Sequence, residues 1–155
     1  MSGEFKAGGG DFGGGGASAD WHDEPLTFAD IRLLQEWESG NLSNMTRLIV
    51  LDAASFASNA LGWIFKVTSI WRSRVEDAEL GGTGIHPAWR AVDVRTKDRP
   101  PSDVDRLAAY LNGRYVYDPV RPTKPVAYAR LHGSGPHVHI QSHNNTIERT
   151  YMRGA

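Results

Sequence analysis

Two imidazoles and a carboxylate stand in this chain at a spacing that a metal ion can use. His86 opens the run His86-Pro87-Ala88-Trp89-Arg90-Ala91-Val92-Asp93, and His137-Val138-His139 follows some forty-five residues later. Three such side chains make the protein ligands of a catalytic zinc whose fourth position is left for water. A metal held this way lowers the pKa of its water and polarises a carbonyl, which is chemistry suited to amide hydrolysis.

Local pattern supports convergence. Val92-Asp93-Val94 alternates apolar and polar, as a half-buried strand does. His137-Val138-His139-Ile140 alternates too, so both imidazoles point to one face and Val138 and Ile140 to the other. The remaining histidines read differently. His22 and His132 are expected at the surface or in ordinary hydrogen bonds. His143, in a loop after its strand, is expected behind the ligands or at the surface.

The rest of the chain supplies elements to position these residues. Thr27 with Asp30 resembles a capping box, and Phe28, Ile31, Leu34 and Trp37 follow at helical spacing until Gly40. Ser43 or Asn44 opens a longer helix reaching about Leu61, with Met45, Leu48, Ile49, Phe56, Ala57 and Ala60 on one broad face. Phe65 to Ser69 is rich in strand formers. Arg72 to Glu79 reads as a loop or short helical turn, and Gly81-Gly82-Thr83-Gly84 as a loop that delivers His86. Ala91 to Arg95 is the first ligand strand. Ser102, with Asp105 at the capping-box position, is expected to cap a helix ended by Gly113. Tyr115 to Tyr117 reads as a short edge. Val126 to Leu131 and His137 to Gln141 read as strands of a hairpin, and residues 144 to 155 as peripheral.

Composition bounds the class. The 155 residues, 40% of them hydrophobic, suit one domain with a single core. The first nineteen residues hold eight glycines and little apolar surface. We therefore read 1–22 as a flexible Gly-rich tail and 23–155 as a single metallopeptidase-like domain. A net charge of −1 argues against a nucleic-acid partner. The absence of cysteine excludes disulfides, thiolate ligands and a cysteine nucleophile. No apolar stretch is long enough for a membrane span, and no basic-then-apolar signal peptide is visible.

The His86, Asp93 and His139 set resembles the zinc D-Ala-D-Ala carboxypeptidases, peptidoglycan peptidases that share their fold with the hedgehog signalling domain. That family carries His-x6-Asp followed by either His-x-His or an acidic residue three before the last His. Upstream it has a strand ending in Ser-Gly-Tyr-Arg-Ser, where this chain has Ser69-Ile70-Trp71-Arg72-Ser73. The resemblance covers about residues 44 to 143. It implies an α+β fold with a small, mainly antiparallel sheet packed with helices, and a zinc site on the open face of that sheet. It implies that His86, Asp93 and His139 bind zinc. His137 is then expected to steady an oxyanion or move protons. Arg72 is expected to hold a substrate carboxylate or polarised oxygen, a role that suits a charged bidentate fork. Pro136 occupies the position of the acidic residue in the other branch. His137, or a carboxylate such as Glu76 or Asp77, is left to act as base. Trp71 and Trp89 flank Arg72 and His86; they either wall a substrate cleft, with Trp89 as a binding residue, or fill the core.

The expected activity is hydrolysis of peptidoglycan stem peptides by a zinc metallopeptidase of carboxypeptidase or endopeptidase type. Such an enzyme would be made in the cytoplasm and act on the cell wall after lysis, as an endolysin does, or as a virion component. The alternatives are a metal-binding module without turnover on the same scaffold, and a wall-attachment or structural module in which the histidines are incidental.

Overall fold

The computed structural model describes residues 5–6, 25–131 and 135–149. Its elements are β1 (Phe5–Lys6), β2 (Leu26–Phe28), α1 (Ile31–Glu38), α2 (Asn44–Leu61), β3 (Phe65–Ser69), α3 (Arg74–Glu79), β4 (Ala91–Arg95), α4 (Pro101–Arg114), β5 (Tyr115–Val116), β6 (Ala127–Arg130), β7 (His137–Gln141) and β8 (Ile147–Glu148). The fold is α+β. One sheet runs in the order β1-β2-β3-β4-β7-β6, and β5 pairs separately with β8.

The sheet is mixed, which corrects the expectation of a mainly antiparallel one. β2 lies parallel to β3, whereas the β1·β2, β3·β4, β4·β7 and β6·β7 pairings are antiparallel. The cause is the long crossover through α1 and α2, which lets β3 enter the sheet in the same direction as β2.

α2 forms where its residues predict it. Ser43 accepts from the Thr46 amide at the N-terminus, and Gly62 ends the helix at φ 60°, the left-handed conformation that suits glycine. Ile49, Val50, Ala53, Ala54 and Ala57 form its buried face. α2 packs against β3, β4 and β7, and α4 packs against β6. Val92, Val94, Val138 and Ile140, all fully buried, face this helical layer. Period-two alternation then turns Asp93, His137 and His139 to the opposite face.

Three helix signals resolve differently from the sequence expectation. Leu26–Phe28 joins the sheet, with Thr27 Oγ1 donating to the Phe65 carbonyl at 2.8 Å, so α1 begins later and is capped by Asp30. α4 starts at Pro101 without a side-chain cap, because the N-cap residue is Pro100, whose ring offers no acceptor to the free amides of the first turn; Ser102 lies inside the helix. α4 also runs past Gly113 to Arg114. Of the two readings of Arg72 to Glu79, a loop or a short helical turn, the helical one holds: the short helix α3 is opened by a reciprocal capping box between Ser73 and Glu76. Within the Gly-rich segment, Phe5–Lys6 pairs with β2. The rest of that segment, with His22, and also His132, lies outside the described residues.

Candidate metal centre

β4 and β7 bring two of the three expected ligands together by register. Asp93 lies directly across from His139, and Arg95 across from His137. β3 bulges between Val67 and Ser69, and Ser69 pairs with Asp93 on its other side. The third ligand arrives from the segment that roofs this face. His86 is held in a compact turn in which the Trp89 and Arg90 amides donate to the His86 and Ile85 carbonyls. Trp89 ends that turn at φ 61°, a left-handed conformation unusual for a bulky residue. The Ser43 amide at the head of α2 donates to the Trp89 carbonyl at 2.8 Å, and Thr46 Oγ1 donates to the Arg90 carbonyl at 3.0 Å. The helix start therefore fixes both the turn and the entry into β4.

His86, Asp93 and His139 are all buried, and one ligand atom from each lies within 4.8 Å of the others. His139 Nδ1 is 2.9 Å from Asp93 Oδ1, and His86 Nε2 is 3.3 Å from Asp93 Oδ2. Metal–ligand bonds of about 2.0–2.2 Å put neighbouring ligand atoms of a tetrahedron roughly 3.3–3.6 Å apart, so both imidazoles already stand at or inside that spacing from the Asp93 carboxylate. The trio as a whole, spread over as much as 4.8 Å, would draw together around an ion.

Hydrogen bonds on the outer side of each ring select the tautomers. His86 Nδ1 lies 2.8 Å from the Ile70 carbonyl, an acceptor only, so that nitrogen carries the proton and Nε2 presents a lone pair. His86 Nε2 is buried and has no hydrogen-bond partner among the described residues. Its contact with Asp93 is close in distance but lacks hydrogen-bond alignment. His139 Nε2 lies 3.0 Å from Gln141 Oε1. The Gln141 amide nitrogen donates to the Pro125 carbonyl at 2.9 Å, so its oxygen must face the imidazole and accept. His139 Nδ1 is thereby aimed at Asp93. An imidazole lone pair against a carboxylate oxygen is stable only with a cation between them, either a proton or a metal ion. The donor set fits a divalent ion with nitrogen and oxygen preferences.

Burial by itself would raise the Asp93 carboxyl. The His139 hydrogen bond and the close approach of the His139 and His86 imidazoles outweigh that and hold it far below the usual carboxylate range. Asp93 is thus kept ionised, as a ligand must be.

His137 stands beside this trio. Its Nδ1 is 2.8 Å from the Gly135 carbonyl, so that nitrogen donates, and Nε2 faces inward at 3.6 Å from Asp93 Oδ2. Arg72 also reaches the site. Its Nε and Nη2 donate to Asp77 Oδ1 at 3.2 and 3.0 Å, and Nη1 lies 3.7 Å from Asp93 Oδ2. A cavity of about 50 Å³ is lined by these residues together with Asp77, Tyr128 and Arg130.

The remaining candidates separate. Asp77 is buried, accepts from the Gly84 amide at 2.8 Å and lines the cavity, so it is no solvated loop acid. Glu76 is exposed and turned back to the Ser73 amide in the capping box. Trp89 stacks on Trp71 with ring centres 5.9 Å apart and does not line the cavity. Its place beside His86 in sequence does not bring the indole to the site, because the turn directs it against the core. His143 lies apart, tilted on Tyr117 and 3.8 Å from Asp118.

Two neighbours of the ligands escaped the sequence reading. Gln141 follows His139 by two residues, so period two alone places it on the ligand face. Tyr128 pairs with His139 across β6·β7, ring centres 4.9 Å apart, and only the strand register brings it there. Comparison of the chain with protein-family models, with curated proteins and with solved structures finds no match.

Proposed function

We propose that this chain is a zinc-dependent peptidase that hydrolyses peptidoglycan stem peptides on a hedgehog/D-Ala-D-Ala-peptidase-like scaffold. The observation that carries the metal part is the tautomer arrangement. Outer acceptors hold both imidazoles so that their inner nitrogens face one buried, ionised carboxylate. The choice of peptide substrate rests on the sequence resemblance. Zinc in this position would supply Lewis acidity to the scissile carbonyl and acidify the attacking water. His137 Nε2, the imidazole nitrogen left over, takes the proton of that water and returns it to the leaving amine. Arg72 has two donor nitrogens committed to Asp77, so Nη1 is the one that steadies the developing oxyanion.

One observation favours a second reading, a metal-binding module without turnover. Asp77, the acid closest to the roles of a general base, is committed to Arg72 and the Gly84 amide. Elemental analysis of protein purified without chelator, paired with release of free amine from stem peptides, separates the readings. The peptidase requires about one zinc per chain and hydrolysis. His139→Ala should lose both together, whereas His137→Ala should keep zinc and lose about 100-fold or more in turnover, as removal of a general base does. Full zinc without hydrolysis favours the module. No zinc, even after addition at neutral pH, rejects both.

A further inference from the structure

Arg130, His137 and Arg95 form one cross-strand row beside the ligand row. Arg130 pairs with His137 across β6·β7, and His137 pairs with Arg95 across β4·β7. Directly paired residues put their side chains on the same face, with Cβ atoms about 4.5–5.5 Å apart. That face is the one carrying Asp93 and His139. The cations around the site differ in what they already hold. Arg72 is tied to Asp77 and Asp93, and Arg95 to Asp98 at 3.2 Å. Arg130 is half-buried and lines the cavity with His86, Asp93, His137 and His139. Among the described residues, no hydrogen bond or ion pair engages its guanidinium.

A partly desolvated guanidinium left without an anion is costly unless a ligand supplies one, and its planar fork matches a carboxylate. We propose that Arg130 is a carboxylate-binding residue of this site, so that the ligand is a peptide carrying a carboxylate on the β6 side of the scissile bond. This inference rests on the metal-site reading above and assigns to Arg130 the anchoring role that the resemblance implies for Arg72. Arg72 cannot take a bidentate anion without releasing Asp77. Two carboxylates have the right chemistry, a C-terminal one and that of an acidic side chain.

The test uses the zinc-loaded full chain and calorimetric titration with reduced-amide peptides, which cannot be hydrolysed. The probes are the reduced acetyl-D-alanyl-D-alanine, its terminal amide, and a reduced L-alanyl-D-glutamate peptide with an amidated terminus. The wild type should bind one acidic probe about 10- to 100-fold tighter than the neutral amide, the range for a hydrogen-bonded charge pair. Whichever acid is preferred identifies the source. Arg130→Gln should bind acid and amide alike with zinc retained, and Arg130→Lys should fall between. Equal binding of all three probes by the zinc-loaded wild type would overturn the inference. So would a preference that survives Arg130→Gln or vanishes in Arg72→Gln instead. Failure of the metal reading itself would show separately, as wild-type zinc far below one per chain.

Discussion

A histidine becomes a ligand through what lies behind it. His86 and His139 present opposite ring nitrogens, Nε2 and Nδ1, to the same carboxylate, and a backbone carbonyl in one case and an amide side chain in the other make that choice. Gln141 is the more exposed to mutation, because its orientation depends on a single bond to the Pro125 carbonyl. Gln141→Leu removes the acceptor and frees the His139 tautomer. On the zinc reading proposed above, affinity for the ion should fall about 10- to 100-fold, the usual effect of losing such a partner. Competition against a chromophoric chelator reads this directly, and an unchanged affinity would show that the Asp93 contact alone orients the ring.

At the scale of elements, the site is a sheet face covered by α3 and the loop that follows it, and α3 meets that loop where Asp77 lies against Gly82. A side chain at Gly82 would collide with the Asp77 carboxylate, which also holds Arg72 and the Gly84 amide. Gly82→Ala should cost about 1–3 kcal/mol, as overpacking at a buried contact does. Gly113 gives the contrast. It sits exposed in α4, with open space where a Cβ would stand. Gly113→Ala should stabilise by about 0.5–1 kcal/mol through helix propensity. Urea midpoints of the two variants should therefore move in opposite directions. A neutral Gly82→Ala would mean that the loop yields freely and does not hold Arg72 in place.

The molecule as a whole couples folding to the charge state of one aspartate. Asp93 is held far below its ordinary value near 3.8. A carboxylate depressed by folding contributes stability above its unfolded pKa, and that contribution is lost as pH falls through the acid range. Metal-free protein should therefore lose melting temperature below about pH 4, more steeply than Asp93→Asn. The zinc reading proposed above predicts a second coupling: an ion that binds only the assembled site should raise the melting temperature by mass action when zinc is in excess, and a chelator should reverse the gain. His139→Ala should show no such response. A wild-type melting curve indifferent to both zinc and chelator would remove the metal from this account. No helix among the described residues is long and apolar enough to cross a membrane.

Local pattern determined much of this protein in advance. β3 has the bounds its strand formers predict, β4 and β7 those of their alternation, and α2 runs from its Ser43 cap to Leu61 as its apolar face predicts. Period two put His137 and His139 on one face, since strand geometry makes that a property of spacing alone. Tertiary structure decided the rest. The parallel β2·β3 pairing depends on a crossover and β5·β8 on a distant partner, neither of which a local window contains. Helix starts shifted where the sheet or a proline took the residues first. Trp89 packs against the core and Asp77 lines the cavity because the left-handed turn after His86 and the placement of α3, not sequence neighbourhood, set their directions. The row of Arg130, His137 and Arg95 exists only through register, as hydrogen bonding across three strands aligns residues that lie far apart in the chain.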